Sequence, residues 1–184
     1  MLTPVFDYRS DNYSGGVQAP VELVQYGDYR CQYCAEAHLV IIALQKVFGQ
    51  SLRFIFRNFP LPNVHALSLE SAVAAEAAGR QAQFWEMHEL LLENQKFLNR
   101  ASLTRMAEAL RLDMDQFGQD CRNTEIFQKV TSDFEGGIRS GVDGTPTFFI
   151  NGQRYNGFTD FNGLYNACHS VNDYSEHFSQ QQNQ

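Results

Sequence analysis

The stretch Tyr29-Arg30-Cys31-Gln32-Tyr33-Cys34 separates two segments with different hydrophobic patterns. Before it, residues 21–26 are mostly apolar, branched or aromatic, which is typical of a β-strand. After it, residues 35–48 carry apolar side chains at helical spacing and on the remaining faces too, which predicts a largely buried helix. The two cysteines therefore lie where a strand leads into a helix.

The first cysteine of this stretch has surroundings that favour a thiolate. The first turn of a helix presents backbone N–H groups without intrahelical partners, and the helix dipole adds partial positive charge there. Arg30 adds a neighbouring cation. We therefore expect the pKa of Cys31 to lie below the free-thiol value of about 8.5, which makes this residue a nucleophile near neutral pH.

The spacing of the two cysteines allows a labile bond between them. Side chains three residues apart on a helix have Cβ atoms about 5–6 Å apart, whereas a disulfide needs about 3.5–4.5 Å. A bond between Cys31 and Cys34 would therefore hold some strain, and strained disulfides are the labile and catalytic ones. Half of a zinc site is the alternative, but zinc takes four ligands and the chain has no second Cys-x-x-Cys and no His-x-x-x-His. We predict redox chemistry without a metal or other cofactor.

Length and composition indicate one globular domain. The chain has 184 residues, of which 43% are hydrophobic, enough for a sizeable core. Its net charge of −7 argues against nucleic acid or an anionic membrane as a partner, since both favour clustered Lys and Arg. No apolar run approaches the ~18 residues of a membrane helix, and the N-terminus lacks the features of a secretory signal. We expect a cytoplasmic protein, or a periplasmic or extracellular one if a leader was removed.

The remaining patterns predict a sheet interrupted by helices. Residues 1–18 are polar and indicate a lead-in arm, while residues 52–57 alternate as a second strand parallel to the first. From 65 to about 140 the pattern is helical throughout, with the last helix ending near Gly136-Gly137. Strand signals then resume as a hairpin around the tight turn Asn151-Gly152, and a final helix follows.

Four motifs resemble those of the DsbA-like branch of the thioredoxin superfamily, and they span nearly the whole chain in that family's order. The motifs are Asp28-Tyr29-Arg30-Cys31-Gln32-Tyr33-Cys34, Phe56-Arg57-Asn58-Phe59-Pro60-Leu61, Phe84-Trp85-Glu86-Met87-His88 and Gly144-Thr145-Pro146-Thr147-Phe148-Phe149-Ile150-Asn151-Gly152. The resemblance implies an α/β fold with a thioredoxin-like core, residues 1–62 and 141–184. An all-helical insertion, residues 63–140, interrupts that core.

The resemblance also implies roles for the site residues. Cys31 is the attacking thiol and Cys34 the resolving thiol. Pro146 matches the family's cis-proline, whose loop faces the cysteine pair and offers backbone groups to an extended substrate by β-augmentation. Thr145, just before it, sets the contact nearest the sulfur. The predicted substrate-binding residues are Thr145, Pro146, Gln32 and Tyr33.

Two departures from the family's pattern affect these expectations. Many relatives have a buried acid six residues before the first cysteine, but that position is Gln25 here, which cannot titrate. We expect Asp28 to act as a partial substitute in proton transfer, through water. The residues between the cysteines carry no charge, which predicts a protein less oxidising than the strongest family members, whose potential is about −120 mV.

The leading hypothesis is a thiol–disulfide oxidoreductase that exchanges disulfides with protein or peptide substrates through a mixed disulfide. Reduction or isomerisation is expected rather than net oxidation, with glutathione as a candidate small thiol. A redox-sensing, peptide-binding or chaperone-like module without turnover is the alternative. A glutathione-dependent transferase is a third reading, which the intact Cys-x-x-Cys disfavours.

The other two cysteines lie on apolar helical stripes. Cys121 and Cys168 each occupy the position of a buried residue in the apolar spacing of their helix. Buried structural thiols are therefore the ordinary interpretation. A second disulfide between them, as in some relatives of the family that the chain resembles, remains the alternative.

Overall fold

The computed structural model describes residues 1–3 and 5–181, with residues 173–181 described by their helical backbone alone. One mixed sheet is formed by β1 (Asn12–Gly15), β2 (Val21–Gly27), β3 (Leu52–Asn58), β4 (Thr147–Ile150) and β5 (Gln153–Arg154). The helices of the described residues are α1 (Gln32–Phe48), α2 (Ser68–Gly79), α3 (Phe84–Glu93), α4 (Arg100–Ala109), α5 (Met114–Asp120), α6 (Thr124–Arg139) and α7 (Phe161–Gln181). This architecture confirms the predicted thioredoxin-like α/β fold.

The sheet places the Cys-x-x-Cys stretch at the end of a central strand. The strand order is β1-β3-β2-β4-β5, and β2 pairs in parallel with β3 and antiparallel with β4. The predicted parallel strand pair on either side of α1 is therefore confirmed. So is the hairpin of β4 and β5, whose turn residues Asn151 and Gly152 both have positive φ, as a tight hairpin turn requires.

The N-terminal residues are part of the folded core. Prediction of residues 1–18 as a lead-in arm was wrong, because β1 pairs antiparallel with β3 and Leu2 is buried. The polar residues that suggested an arm have internal partners. Asp11 accepts hydrogen bonds of 2.8 and 2.9 Å from the buried Arg57 guanidinium, and Asn12 donates to Glu76 at 2.8 Å.

Helix α1 differs from its prediction in length and in burial. It begins at Gln32, three residues earlier than the apolar pattern suggested, and Cys31 occupies its N-cap position. Its inner face is the stripe that packs against the sheet, but Leu39 is 68% exposed. The prediction of a largely buried helix was wrong, because one side of α1 faces solvent.

Helices α2 to α6 occupy the part of the chain between β3 and β4, which confirms the helical pattern predicted there. Helix α2 is rich in alanine, and most of its side chains are buried against its neighbours. Division into a thioredoxin-like unit (1–62 and 141–184) and an insertion (63–140) remains a prediction, and residues 4 and 182–184 of those ranges lie outside the described residues. Along the described chain, no helix combines the length and apolar character needed to span a membrane.

Helix α6 continues to Arg139, beyond the Gly136-Gly137 pair where its end was predicted. Gly137 serves close packing instead of helix termination. A Cβ added there would lie 2.6 Å from Cδ2 of Phe59 and 3.1 Å from Cδ1 of Tyr26, and both rings are buried. Only glycine lets α6 approach the sheet this closely.

Substitution of Gly137 by alanine is therefore expected to destabilise the protein by about 1–3 kcal/mol through overpacking. Urea denaturation measures this loss as a lower midpoint. Gly118→Ala in α5 is the matched control, since its added Cβ would meet nothing closer than the flexible Arg122 guanidinium at 3.8 Å. Because alanine favours helix more than glycine does, the control is expected to be neutral or stabilising by up to about 1 kcal/mol. Equal losses in both variants would contradict this account of Gly137.

Candidate active site

The two cysteines of the Cys-x-x-Cys stretch lie side by side but differ in access to solvent. Cys31 precedes α1 and retains 5% of its surface exposed, whereas Cys34 in the first turn is fully buried. The Cys31 thiol donates to the carbonyl oxygen of Thr145 at 3.1 Å. The Cys31 carbonyl accepts the Cys34 N–H at 3.0 Å, which holds the turn that presents both sulfurs.

The surroundings of the pair shift the pKa values of the two thiols in opposite directions. The pKa of Cys31 is lowered to about 5, chiefly by a hydrogen bond from the Cys34 side chain. Partial burial opposes this effect, while the Thr145 side chain and the backbone N–H groups of Cys34 and Tyr33 lower the pKa further. Burial raises the pKa of Cys34 well above its ordinary value, and the adjacent Cys31 sulfur raises it again. At neutral pH the site therefore consists of a thiolate supported by a thiol.

The backbone N–H groups of the first helical turn stabilise this thiolate as expected, but Arg30 is not among the groups that do so. The Arg30 guanidinium donates to the backbone carbonyl of Gln95 instead. The side-chain amide of Gln95 in turn donates to the Cys31 carbonyl at 2.9 Å. Gln95 is a site residue that sequence reasoning missed, because it lies 64 residues away in a segment without any motif.

The loop before β4 forms the wall facing the cysteines. The peptide bond Thr145–Pro146 is cis, as the resemblance implied. Both residues are half-buried, and Thr145 is the one that contacts the Cys31 sulfur. The structure therefore brings Thr145 and Pro146 to the cysteine pair, from more than a hundred residues away in sequence.

The residues between the cysteines point outward. Gln32 is exposed and donates a hydrogen bond to Glu36 along the same helix at 2.9 Å. Tyr33 is 66% exposed. Both side chains are accessible on the surface next to the less exposed Cys31 sulfur.

Asp28 is buried directly beneath the active-site turn. Its backbone N–H points to the Cys34 sulfur at 3.4 Å. Its carboxylate accepts the backbone N–H groups of Arg30 at 2.8 Å and Leu61 at 3.0 Å, and Nδ1 of His65 lies 2.8 Å from it. Asp28 thus organises the turn through hydrogen bonds, and its part in proton transfer remains a prediction.

An uncharged residue, Gln25, occupies the position of the family's buried acid. Gln25 is buried, and its Nε2 has no hydrogen-bond partner within the described part of the chain. Nearby, the Tyr29 hydroxyl lies 3.0 Å from Nδ1 of His88, and the His38 ring packs edge-on against His88. Burial lowers the pKa of both histidines, which keeps them neutral as packing residues.

The remaining two cysteines are free thiols in the structure. Burial raises the pKa of Cys121 to about 11 and that of Cys168 to about 12. Both thus stay protonated at neutral pH, in accord with the structural interpretation, and the alternative disulfide between them is not formed.

Comparison with known proteins identifies the family of this site. A family model described as "Thioredoxin" matches residues 9–168, which include the Cys-x-x-Cys stretch and the cis-proline loop. The chain belongs to the thioredoxin family. Its DsbA-like fold recurs in solved structures of BdbD from Bacillus subtilis in the oxidised form (TM-score 0.80, 20% identity, 91% of this chain and 95% of that one) and of the thiol-disulfide exchange protein α-DsbA2 from Wolbachia pipientis (TM-score 0.80, 24% identity, 91% and 89%).

Longer proteins contain a similar thioredoxin-family segment. The chain is 40% identical over 171 residues to the Na(+)/H(+) antiporter NhaA 1 of Salinispora arenicola, covering 93% of this chain and 26% of that protein. It is 37% identical over 169 residues to NhaA 1 of Mycolicibacterium vanbaalenii, covering 91% and 27%. The thioredoxin-family chain therefore spans about a quarter of the length of these curated relatives.

Proposed function

We propose that this chain exchanges disulfides with protein or peptide substrates through Cys31 and Cys34. The observation that carries the proposal is the hydrogen-bonded pair of thiols with opposite pKa shifts, facing the Thr145–Pro146 loop. A thiolate is the attacking species in thiol–disulfide exchange. A second thiol that stays protonated beside it acts only after the first has reacted.

The reaction proceeds in two exchanges. The Cys31 thiolate attacks one sulfur of a client disulfide, forming a mixed disulfide and releasing the other client sulfur as a thiolate. Once Cys31 is bonded, its negative charge and its hydrogen bond no longer hold the Cys34 proton. Cys34 then loses that proton, attacks the Cys31 sulfur, and releases the second client thiol. Two electrons have passed from the dithiol pair to the client.

The substrate is held beside Cys31 by the surrounding surface. Thr145 and Pro146 border the sulfur and would present backbone groups to an extended chain, as β-augmentation requires. Gln32 and Tyr33 are accessible on the other side and would contact the client's flanking residues. Asp28 would assist removal of the Cys34 proton through water. Small thiols such as glutathione would reach the same sulfur.

The stabilised thiolate bears on the direction of electron flow. A low pKa at Cys31 stabilises the reduced pair, which keeps the dithiol as the resting state and makes the disulfide form more oxidising. We propose that the reaction starts from the dithiol, by isomerisation or reduction of client disulfides rather than by net oxidation. Because a stabilised dithiol is itself a weak reductant, net reduction would depend on an external thiol that keeps the pair reduced. Isomerisation fits best, because a client thiol can release Cys31 without net transfer of electrons.

Trapping of the mixed disulfide tests the proposed function. In Cys34→Ala the first exchange occurs and the second cannot, so incubation with insulin is expected to give a covalent adduct that intact-mass analysis detects and dithiothreitol releases. The double variant Cys31→Ser/Cys34→Ala is the control and should form none. Absence of an adduct in folded Cys34→Ala, or an equal amount in the double variant, would contradict the proposed chemistry.

A further inference from the structure

The segment between α3 and α4 contacts the backbone of the attacking cysteine. This segment, Gln95–Phe97, is a short 3-10 turn. The side-chain amide of Gln95 donates to the Cys31 carbonyl at 2.9 Å, and the Gln95 carbonyl accepts a hydrogen bond from the Arg30 guanidinium. Two hydrogen bonds in opposite directions thus tie this turn to two consecutive residues of the active-site stretch.

The Cys31 carbonyl that Gln95 contacts is part of the structure that presents the sulfur. It already accepts the backbone N–H groups of Cys34 at 3.0 Å and Ala35 at 3.4 Å, as the first carbonyl of α1. The N–H groups of Tyr33 and Cys34 in the same turn are those that stabilise the thiolate. The Gln95 amide also offsets the partial negative charge of this carbonyl oxygen, which belongs to the same residue as the charged sulfur.

We propose that Gln95 is a positioning residue for the Cys31 thiolate, acting through the Cys31 carbonyl. Its amide holds the first turn of α1 in the arrangement that directs backbone N–H groups at the sulfur. The proposal deepens the proposed function and rests on it for its catalytic meaning. Through Gln95, a segment outside the Cys-x-x-Cys and cis-proline motifs sets how reactive the cysteine is.

The charged or titratable neighbours of this contact on the active-site turn and on the Gln95 turn are Cys34, Arg30 and Lys96. Cys34 faces Cys31 from α1, and Arg30 adjoins it with its guanidinium on the Gln95 carbonyl. Lys96 follows Gln95 and is exposed. Thr145 and Pro146, on the opposite wall, carry no charge. An uncharged replacement of Gln95 that leaves Arg30 and Lys96 in place therefore tests the neutral hydrogen bond itself.

The experiment measures the pKa of the Cys31 thiol in Gln95→Leu and Gln95→Glu, by thiolate absorbance at 240 nm against pH. Leucine removes the donor, and glutamate replaces it with an acceptor of the same size that carries negative charge. We expect the pKa of the Cys31 thiol to rise by about half a unit or more in Gln95→Leu and by more than that in Gln95→Glu. Phe97→Leu is the matched control on the same turn, because Phe97 is exposed and should leave the value unchanged.

The outcomes distinguish a positioning role of Gln95 from a general effect of its substitution on folding. Circular dichroism identifies the variants that fold, and the same-size glutamate variant keeps the test available if leucine disrupts the turn. An unchanged thiol pKa in a folded Gln95 variant would overturn the proposal, and so would an equal rise in Phe97→Leu. The readout needs no client, so it stays valid even if the wild-type protein forms no mixed disulfide and the proposed function fails.

Discussion

Replacement of Cys31 by serine is expected to reduce the turnover of insulin disulfides on the order of 10³-fold or more, to the level of the reaction without protein. A serine hydroxyl is not ionised near neutral pH and cannot form a mixed disulfide. The three groups that stabilise the Cys31 anion, namely the Cys34 thiol, the Thr145 side chain and the helix amides, would then have no thiolate to act on. The assay is reduction of insulin with dithiothreitol or glutathione as electron donor.

The control for this loss makes the same chemical change at a different thiol. Cys121 is half-buried, and its pKa is raised to about 11, so it stays protonated and takes no part in exchange. Cys121→Ser is therefore expected to retain wild-type turnover. Equal turnover by wild type and Cys31→Ser would end the proposal that this chain is a thiol–disulfide oxidoreductase acting through Cys31.

The parts of the fold that could be predicted are those with a local signal. Residues 21–26 and 52–57 have the composition of buried strands, and both became central strands of the sheet. The cysteine spacing and the Asn151-Gly152 turn are short motifs whose geometry depends on neighbouring residues only. Such features are specified locally, so one sequence is enough to identify them.

The features that escaped prediction depend on partners far away in the chain. Residues 12–15 looked too polar for a strand, but β1 is an edge strand. Its first residue, Asn12, donates a hydrogen bond to Glu76, and Asp11 just before it accepts from Arg57. The exposure of Leu39 could not be predicted, because the apolar character of a residue does not show which side of a helix faces solvent.

In the candidate site, too, the residues in local motifs could be predicted and the contacts between distant segments could not. Cys31, Cys34 and Pro146 lie in recognisable motifs, and the structure brings them together. The hydrogen bonds of Asp28 with His65 and of Gln95 with Cys31 join residues that are 37 and 64 positions apart. No sequence pattern around these residues predicts either hydrogen bond. Arg30 was interpreted as a cation for the thiolate because it is adjacent in sequence, whereas its long side chain reaches Gln95 instead.

The second large effect concerns the pH at which Cys31 becomes reactive. With its pKa lowered to about 5, the residue is mostly thiolate at pH 7. Because the pKa is lowered, alkylation should rise as pH increases through about 5 and then level off, whereas an ordinary thiol is still largely protonated at pH 7 and rises through about 8.5. In Cys34→Ala the principal hydrogen bond to the sulfur is lost, so the midpoint is expected to move upward.

The central claim is that Cys31 is held as a thiolate at neutral pH, and its rate of alkylation by iodoacetamide between pH 3 and pH 10 tests this most directly. Mass analysis of the Cys31 peptide after timed quenching separates it from the other cysteines. We predict a midpoint near pH 5 in the wild-type protein. A midpoint at the value of a free thiol, or a Cys31 that iodoacetamide does not modify at neutral pH, would contradict the account.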